Sequence, residues 1–294
     1  MIESIKKICS CEEEVDLTKL NTFRLVSKCK CLVHPKNEDE LFELVKLLKS
    51  KKTKYFVMGN ASNIILPEYY DGVIIKLDKF KEYEIHDDYV YAQCGVMLNK
   101  LAAIVTDKGY AGLDFATGVP GTVGGSVYCN AGCFGSEISK ILISARVYED
   151  GEIKEYSWDD FKFEYRASIL KRKNSDAIIL SCKLRIEKGN REELLALVKE
   201  RTEKRKATQD IEHPSNGSIF RNPEGFAAAG KLIEDAGLKG YSVNDIMVSY
   251  KHANFIINNG KGTQKDVLKM IDKIKKEVKK DFGADLQLEQ EIIK

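Results

Sequence analysis

Between Gly109 and Gly135 the chain reads GYAGLDFATGVPGTVGGSVYCNAGCFG, a string dense in glycine and alanine, free of lysine and arginine, with Asp114 as its one charged residue. Gly118, Gly121, Gly124 and Gly125 lack a Cβ, so the backbone there can turn sharply and approach a ligand closely. A loop of this kind can aim several N–H groups at one anion. It can equally be a buried, tightly packed turn.

At 294 residues the chain exceeds one small core and suits two domains. Hydrophobic residues at 43% and charged residues at 31% match an ordinary globular protein, and a net charge of +2 provides no general attraction to nucleic acid. No apolar run approaches the roughly 20 residues that span a bilayer, and MIESIKKICSCEEEVDL is too polar for a secretory signal. The expectation is a cytoplasmic protein with no membrane or nucleic-acid partner. The eight cysteines are then expected as reduced thiols. Cys9 with Cys11, and Cys29 with Cys31, form Cys-x-Cys pairs, whereas zinc sites favour Cys-x-x-Cys; alternate residues of a strand simply share a face, so no metal is expected.

Residues 1–16 read as a short helix or arm. LNTFRLVSKCKCLVHP reads as a strand closed by Pro35, and Asn37 as the cap of a helix from Glu38 to about Ser50, with Leu41, Leu44, Val45 and Leu48 on one stripe. KYFVMG is a strand ending in Gly59-Asn60-Ala61-Ser62-Asn63, a small polar loop that suits a phosphate at a strand end or a plain turn. IILPEYYDGVIIKL resumes the sheet. EYEIHDDYVYAQCG predicts a hairpin turning at His86-Asp87-Asp88, and MLNKLAAIVTDKGY an amphipathic helix. A second hairpin turns at Asp150-Gly151, and DAIILSCKLRIEKG is a further strand whose end near Gly189 marks a domain boundary. Beyond it, REELLALVKERTEKRKATQ is a charged helix and AAAGKLIEDAGLKGY a helix closed by glycine. SYKHANFIINN is a strand, and a last helix from Thr263 to about Phe282 places Val267, Met270, Ile271, Ile274 and Val278 on one face.

NTFR at 21–24, GNASN at 59–63, GVPGTVGG at 118–125 followed by NAG at 130–132, EYRAS at 164–168, PSNGSIFRNP at 214–223, AGKLIEDAGLKG, VSYKHANFIIN and the terminal LEQE form an ordered series. Over nearly its whole length the chain resembles the UDP-N-acetylenolpyruvoylglucosamine reductase family, also called UDP-N-acetylmuramate dehydrogenases. It lacks the long tyrosine-bearing insertion of one branch and looks like the loop-less branch. The resemblance implies an α+β protein: a two-part FAD-binding domain of the vanillyl-alcohol-oxidase (PCMH) type in residues 1–189, split near residue 77, and a smaller α/β substrate-binding domain in residues 190–294. A monomer or weak oligomer is expected.

In such enzymes NADPH reduces a non-covalently held FAD, and hydride then passes from flavin N5 to the enolpyruvyl ether of UDP-N-acetylglucosamine, giving UDP-N-acetylmuramate for peptidoglycan synthesis. Hydride addition puts negative charge on the carbon that bears the carboxylate, so the site must stabilise an enolate and then protonate it. Arg166 in EYRAS resembles the family's catalytic arginine, Ser218 in NGSIFRNP its proton donor, and Glu291 the second glutamate of its terminal Leu-Glu-x-Glu element. Asn222, Lys251, His252 and Lys206 match substrate-binding positions. The resemblance assigns the cofactor to Gly59, Asn60, Ala61, Ser62 and Asn63, to Gly118, Pro120, Gly121, Thr122, Gly124 and Gly125, and to Asn130 and Ala131. The chain departs from the family pattern at Val26-Ser27, where Gly-Gly is usual, at Ala61, where glycine is more common, and at Ile293, where arginine is common.

Two other readings compete. A flavin oxidase of the same fold would act on an alcohol or hydroxy acid, often with FAD tethered through histidine or cysteine, and His86, between the two flavin loops, sits at a hairpin tip. A flavin- or nucleotide-sugar-binding module without turnover would not need Arg166, Ser218 and Glu291.

Overall fold

The structure is a computed structural model and describes residues 1–173 and 175–294. The chain divides into two compact units: residues 1–13, 31–60 and 72–202 form the first, and residues 14–30, 61–71 and 203–294 the second. Both mix helix and strand, giving an α+β protein. Among the described residues, no helix is long and apolar enough to cross a membrane.

The first unit holds two hydrophobic clusters. One lies on a five-stranded antiparallel sheet ordered Glu152–Ser157, Leu142–Glu149, Ile178–Arg185, Tyr89–Gln93, Tyr83–Ile85. The helix Leu98–Asp107 covers it with Leu98, Leu101, Ala102 and Val105 at the three-to-four spacing of one helical face, and Val123 and Val127 of the short helix Val123–Tyr128 complete the layer. The glycine-rich stretch thus leans on a rigid sheet. Both predicted hairpins form. Asp150 and Gly151 both adopt positive φ, 55° and 88°, as the tightest right-twisting two-residue turn requires.

The second cluster packs the helix Glu38–Ser50 through Leu41, Leu44, Val45 and Leu48 against Val33, Val73 and Ile75. Asn37 caps that helix by accepting the Glu40 N–H at 2.9 Å. The parallel pairing of Tyr55–Met58 with Val73–Lys76 follows from the intervening crossover. Burial raises the Cys9 thiol to about 11 and the Cys94 thiol to about 12, so neither is ionised near neutrality.

In the second unit the helix Gln264–Phe282 presents Val267, Met270, Ile271, Ile274 and Val278 to the core beside the helix Ala229–Asp235. Thr263 and Asp266 form a reciprocal capping box at its start, and Gly283 closes it at φ 73°. The strands Ser242–Val243, Ile246–Val248 and Ile256–Asn258 make a three-stranded antiparallel sheet, and Glu291–Ile292 pairs parallel with Ile64–Ile65.

Three expectations are corrected. Residues 1–16 are not a single helix or arm: Ile2–Lys6 is helical but Ser10–Asp16 is a strand. The strand expected across residues 20–35 is confined to Lys28–His34. Buried Asn21 donates to Leu17 O at 2.9 Å and Leu25 O at 3.1 Å and accepts the Leu25 N–H at 3.0 Å, so local side-chain bonds outcompete a ladder. Within SYKHANFIINN only Ile256–Asn258 is strand, because the Ser249 hydroxyl accepts the N–H of Lys251 at 3.0 Å and of His252 at 3.4 Å and turns the chain.

Gly95 tests the packing of the first unit. A Cβ there would stand 2.0 Å from Leu77 O and 2.6 Å from Phe80 O, both backbone atoms. Gly95→Ala is expected to lower stability by about 3 kcal/mol, the upper end for overpacking, because backbone cannot rotate away. A lowered denaturant midpoint checks this; an unchanged midpoint refutes it.

Candidate active site

In the first unit, Gly59 and Asn60 meet the glycine-rich loop. Asn60 Nδ2 donates to Pro120 O at 2.7 Å, and a Cβ at Gly59 would stand 2.7 Å from Thr122 Oγ1. A side chain at 59 would fill the cradle these loops form. Thr122 caps the helix Val123–Tyr128, and Gly124 lies so close to Cys94 that a Cβ would stand 2.8 Å from the Cys94 Cβ. Gly124 N donates to Cys94 O at 2.9 Å and Val123 N to Val96 O at 2.8 Å, so the loop is bolted to the sheet. Among the described residues, the N–H groups of Gly59, Asn60, Gly121 and Thr122 donate to no protein acceptor. A glycine cradle with undirected N–H groups fits the diphosphate and ring edge of a dinucleotide such as FAD.

Asn130 directs its side chain to the protein's own backbone. It is fully buried with φ 47°, and its amide donates to Glu164 O at 3.0 Å while its carbonyl accepts Ser139 N–H at 2.9 Å. Its side chain is spent on holding the EYRAS turn. That turn is tight: Glu164 and Ala167 exchange both backbone hydrogen bonds, at 2.9 and 3.1 Å, and Arg166 takes φ 57°. A non-glycine residue held in the left-handed region is a strain that functional sites often carry. The Arg166 guanidinium donates to Gly132 O at 2.8 Å, lies 4.0 Å from Glu137 and rests 5.0 Å from the Tyr165 ring centre. Gly132 allows this approach, since a Cβ there would stand 2.8 Å from Arg166 Nη1. Gly132 was legible only as the end of NAG. Nearby, Arg201 pairs with Asp114, the charged residue of the glycine-rich stretch, and lies 5.2 Å from the Phe134 ring centre.

In the second unit, Ser218 follows Gly217 at φ 73° and begins an extended segment. Asn254 clamps one side of it, accepting Phe220 N–H at 3.0 Å and donating to Phe220 O at 2.8 Å, while Ile219 N donates to Asn254 O at 2.9 Å. The other side pairs with the carboxyl-terminal stretch: Glu289 N donates to Ile219 O at 2.9 Å and Arg221 N to Gln287 O at 2.9 Å. Buried Gln290 donates to Ser218 O at 3.3 Å and Asn216 O at 3.4 Å. Ser218 and the strand that bears Glu291 are therefore fixed to one another. Ala61, Ser62 and Asn63 belong to this unit as well; Glu291 N donates to Asn63 O at 3.0 Å, and Asn63 Nδ2 to Glu289 O at 3.3 Å. Ala61 takes φ 48°, the conformation that a glycine would adopt freely.

Residues 209–293 match the family described as UDP-N-acetylenolpyruvoylglucosamine reductase, C-terminal domain, and residues 29–157 match the FAD binding domain family. The protein named UDP-N-acetylenolpyruvoylglucosamine reductase in Caldicellulosiruptor saccharolyticus is 40% identical to this chain, over 94% of this chain and 90% of its own. The protein of that name in Anoxybacillus flavithermus is 38% identical over 96% and 94%. The chain belongs to the UDP-N-acetylenolpyruvoylglucosamine reductase family. The crystal structure of the enzyme of that name (MurB) from Thermus caldophilus superposes with a TM-score of 0.83 at 29% identity, covering 97% of this chain and all of the other.

Within this reductase-family chain, the substrate-side candidates divide. Asn222 accepts Ala229 N–H at 3.0 Å, and a Cβ at Gly230 would stand 3.2 Å from the His252 ring, so Asn222, the start of the helix Ala229–Asp235 and His252 are neighbours. Lys251 is exposed on the same turn as His252. Lys206, exposed on the helix Arg191–Thr208, is not drawn into these contacts among the described residues. Sequence reasoning missed Asn254 and Gln290, although both lie inside recognised strings.

His252 Nδ1 accepts Asn254 N–H at 3.2 Å, so the ring's hydrogen sits on Nε2 when the ring is neutral. Burial, helped by the positive charge of Lys239, holds its pKa below the ordinary 6.5. The neutral form is thus favoured by the fold; its contribution to stability is present above 6.5 and is lost as pH falls through the lowered value. Ring nitrogen NMR is expected to show the Nε2–H tautomer at pH 7 (an ordinary assay value, about neutral) and a titration midpoint below 6.5. A midpoint above that refutes the assignment.

Proposed function

We propose that this chain reduces the enolpyruvyl ether of UDP-N-acetylglucosamine to UDP-N-acetylmuramate, a peptidoglycan precursor, using NADPH and FAD. It would act as a cytoplasmic monomer or weak oligomer, with residues 1–189 serving the flavin and 190–294 the nucleotide sugar. The observation that carries the reading is the clamp on Ser218: hydrogen bonds from Asn254 on one side and pairing with the Glu291-bearing stretch on the other leave a loop hydroxyl with a fixed backbone. Near-full-length relatives with the same family name support the substrate class.

Bound FAD supplies two-electron chemistry, accepting hydride from the nicotinamide and delivering it to an electron-poor alkene carbon. Gly59, Asn60 and the loop from Gly118 to Gly125 would hold it through backbone N–H groups, with Ala61, Ser62, Asn63 and Ala131 alongside. The protein's own work is on the charge that develops in the substrate. Arg166 would hold a permanent positive charge toward the enolate, with its guanidinium anchored by the hydrogen bond to Gly132 O. Ser218 would pass its hydroxyl proton to the carbon that bears the carboxylate. A hydroxyl is a weak acid, so placement has to replace acidity. Glu291 would orient the substrate and share the enol's hydrogen bonding. Asn222, Lys251, His252 and Lys206 would take the nucleotide sugar and its diphosphate, His252 as an Nε2–H donor.

Anaerobic half-reactions test this. Protein reduced by NADPH should regain its flavin absorbance promptly on adding UDP-N-acetylglucosamine enolpyruvate and not on adding UDP-N-acetylglucosamine. Absorbance that stays bleached until oxygen enters overturns the substrate. Ser218→Ala should keep reduction by NADPH and slow the second half-reaction by about 10²- to 10⁴-fold. Equal loss in both half-reactions removes Ser218 from the proton-donor role.

A further inference from the structure

Asp210 lies outside every motif that marks the site, yet it is buried, 8% exposed, with both carboxylate oxygens occupied. Oδ1 accepts the His213 backbone N–H at 3.3 Å and His213 Nδ1 at 2.8 Å; facing a carboxylate oxygen, that ring nitrogen carries the hydrogen. Oδ2 accepts the hydroxyl hydrogen of Ser249 at 2.7 Å. Ser249 is fully buried, and with its one hydrogen committed to Asp210, its lone pairs face Lys251 N at 3.0 Å and His252 N at 3.4 Å. One carboxylate therefore joins the segment leading into Pro214–Ser218 to the turn that carries Lys251 and His252.

We propose that Asp210 is a positioning residue for nucleotide-sugar binding: acting through Ser249, it sets the turn that presents Lys251 and His252. The inference rests on the reading of those two side chains as substrate contacts. The chemistry demands a carboxylate. His213 and Ser249 both donate, to different oxygens, so the residue at 210 must offer two acceptors and no hydrogen. In Asp210→Asn the amide NH₂ faces either the His213 donors or the Ser249 hydroxyl. In the second case the hydroxyl must turn its hydrogen away, and one of the two N–H groups of Lys251 and His252 loses its acceptor. Burial alone would raise the Asp210 pKa, but the hydrogen bonds from Ser249 and His213 outweigh it and hold the carboxyl below its usual range, so it is ionised at neutral pH.

The test is steady-state kinetics of the FAD-loaded enzyme with NADPH and UDP-N-acetylglucosamine enolpyruvate. Asp210→Asn and Ser249→Ala are each expected to raise the KM for the nucleotide sugar about tenfold, the scale of one hydrogen bond to a charged group, with kcat within about twofold. Because they break one chain of contacts, the double variant should be no worse than the more impaired single variant. Fully additive effects, or kcat falling with KM unchanged, overturn the proposal. Ser249→Ala removes a single atom and carries the test if Asp210→Asn does not fold. Lys251→Ala and His252→Ala, assayed alongside, separate the two failures: if they raise KM and the Asp210 and Ser249 variants do not, the proposal alone falls. If none of the four raises KM, the substrate-side reading falls with it.

Discussion

A buried backbone N–H or C=O that leaves water must find a partner, and several irregular segments at the candidate site find one in a buried carboxamide. Asn21, Asn130, Asn216, Asn254 and Asn258 are all buried. Asn258 alone donates to Phe23 O and Arg24 O and accepts the N–H of Gly260 and Gly262. Asn216 donates to Ile64 O at 2.6 Å and accepts the Thr22 hydroxyl. An amide suits this work because it offers donors at one end and an acceptor at the other; a carboxylate at any of these positions would set an acceptor against a carbonyl. Asp210 is the complementary case, where every neighbour donates and only a carboxylate serves. The type of buried polar residue thus follows from the mix of donors and acceptors around it.

These clamps let loops behave as rigid parts. Asn130 fixes the Arg166 turn, and Asn254 and Gln290 fix the Ser218 segment. Six buried side-chain atoms have no partner among the described residues, and two of them, Gln290 Oε1 and Arg221 Nε, lie beside the Ser218 segment or within it. Glycine plays the matching role where space is the limit. Gly132 lets Arg166 approach, and Gly59 leaves open the ground in front of Thr122. In each case the missing Cβ is required by a neighbouring atom.

Much of the framework was legible because its signals are local. Asn37 with its helix, the hairpins at His86-Asp87-Asp88 and Asp150-Gly151, and the Thr263 cap with its apolar stripe depend on residues within a few positions of one another, and the structure forms each as expected. The strands expected through Asn21 and through Ser249 failed for one reason. Both segments alternate well enough for a ladder, but a single polar side chain offered the backbone nearer partners. Alternation weighs hydrophobic faces; it does not count local acceptors.

The order of the motifs by itself determined the family, the glycine loops suited to a dinucleotide, and most of the helices and hairpins, since each is encoded by neighbouring residues. Tertiary structure alone decided the supports of the candidate site: Gly132 beneath Arg166, Asn254 on Phe220, and Asp210 on Ser249 join residues 34, 34 and 39 positions apart. A hydrogen bond between such residues exists only once strands have paired and hydrophobic faces have closed, because its energy depends on distance and burial that no local propensity carries.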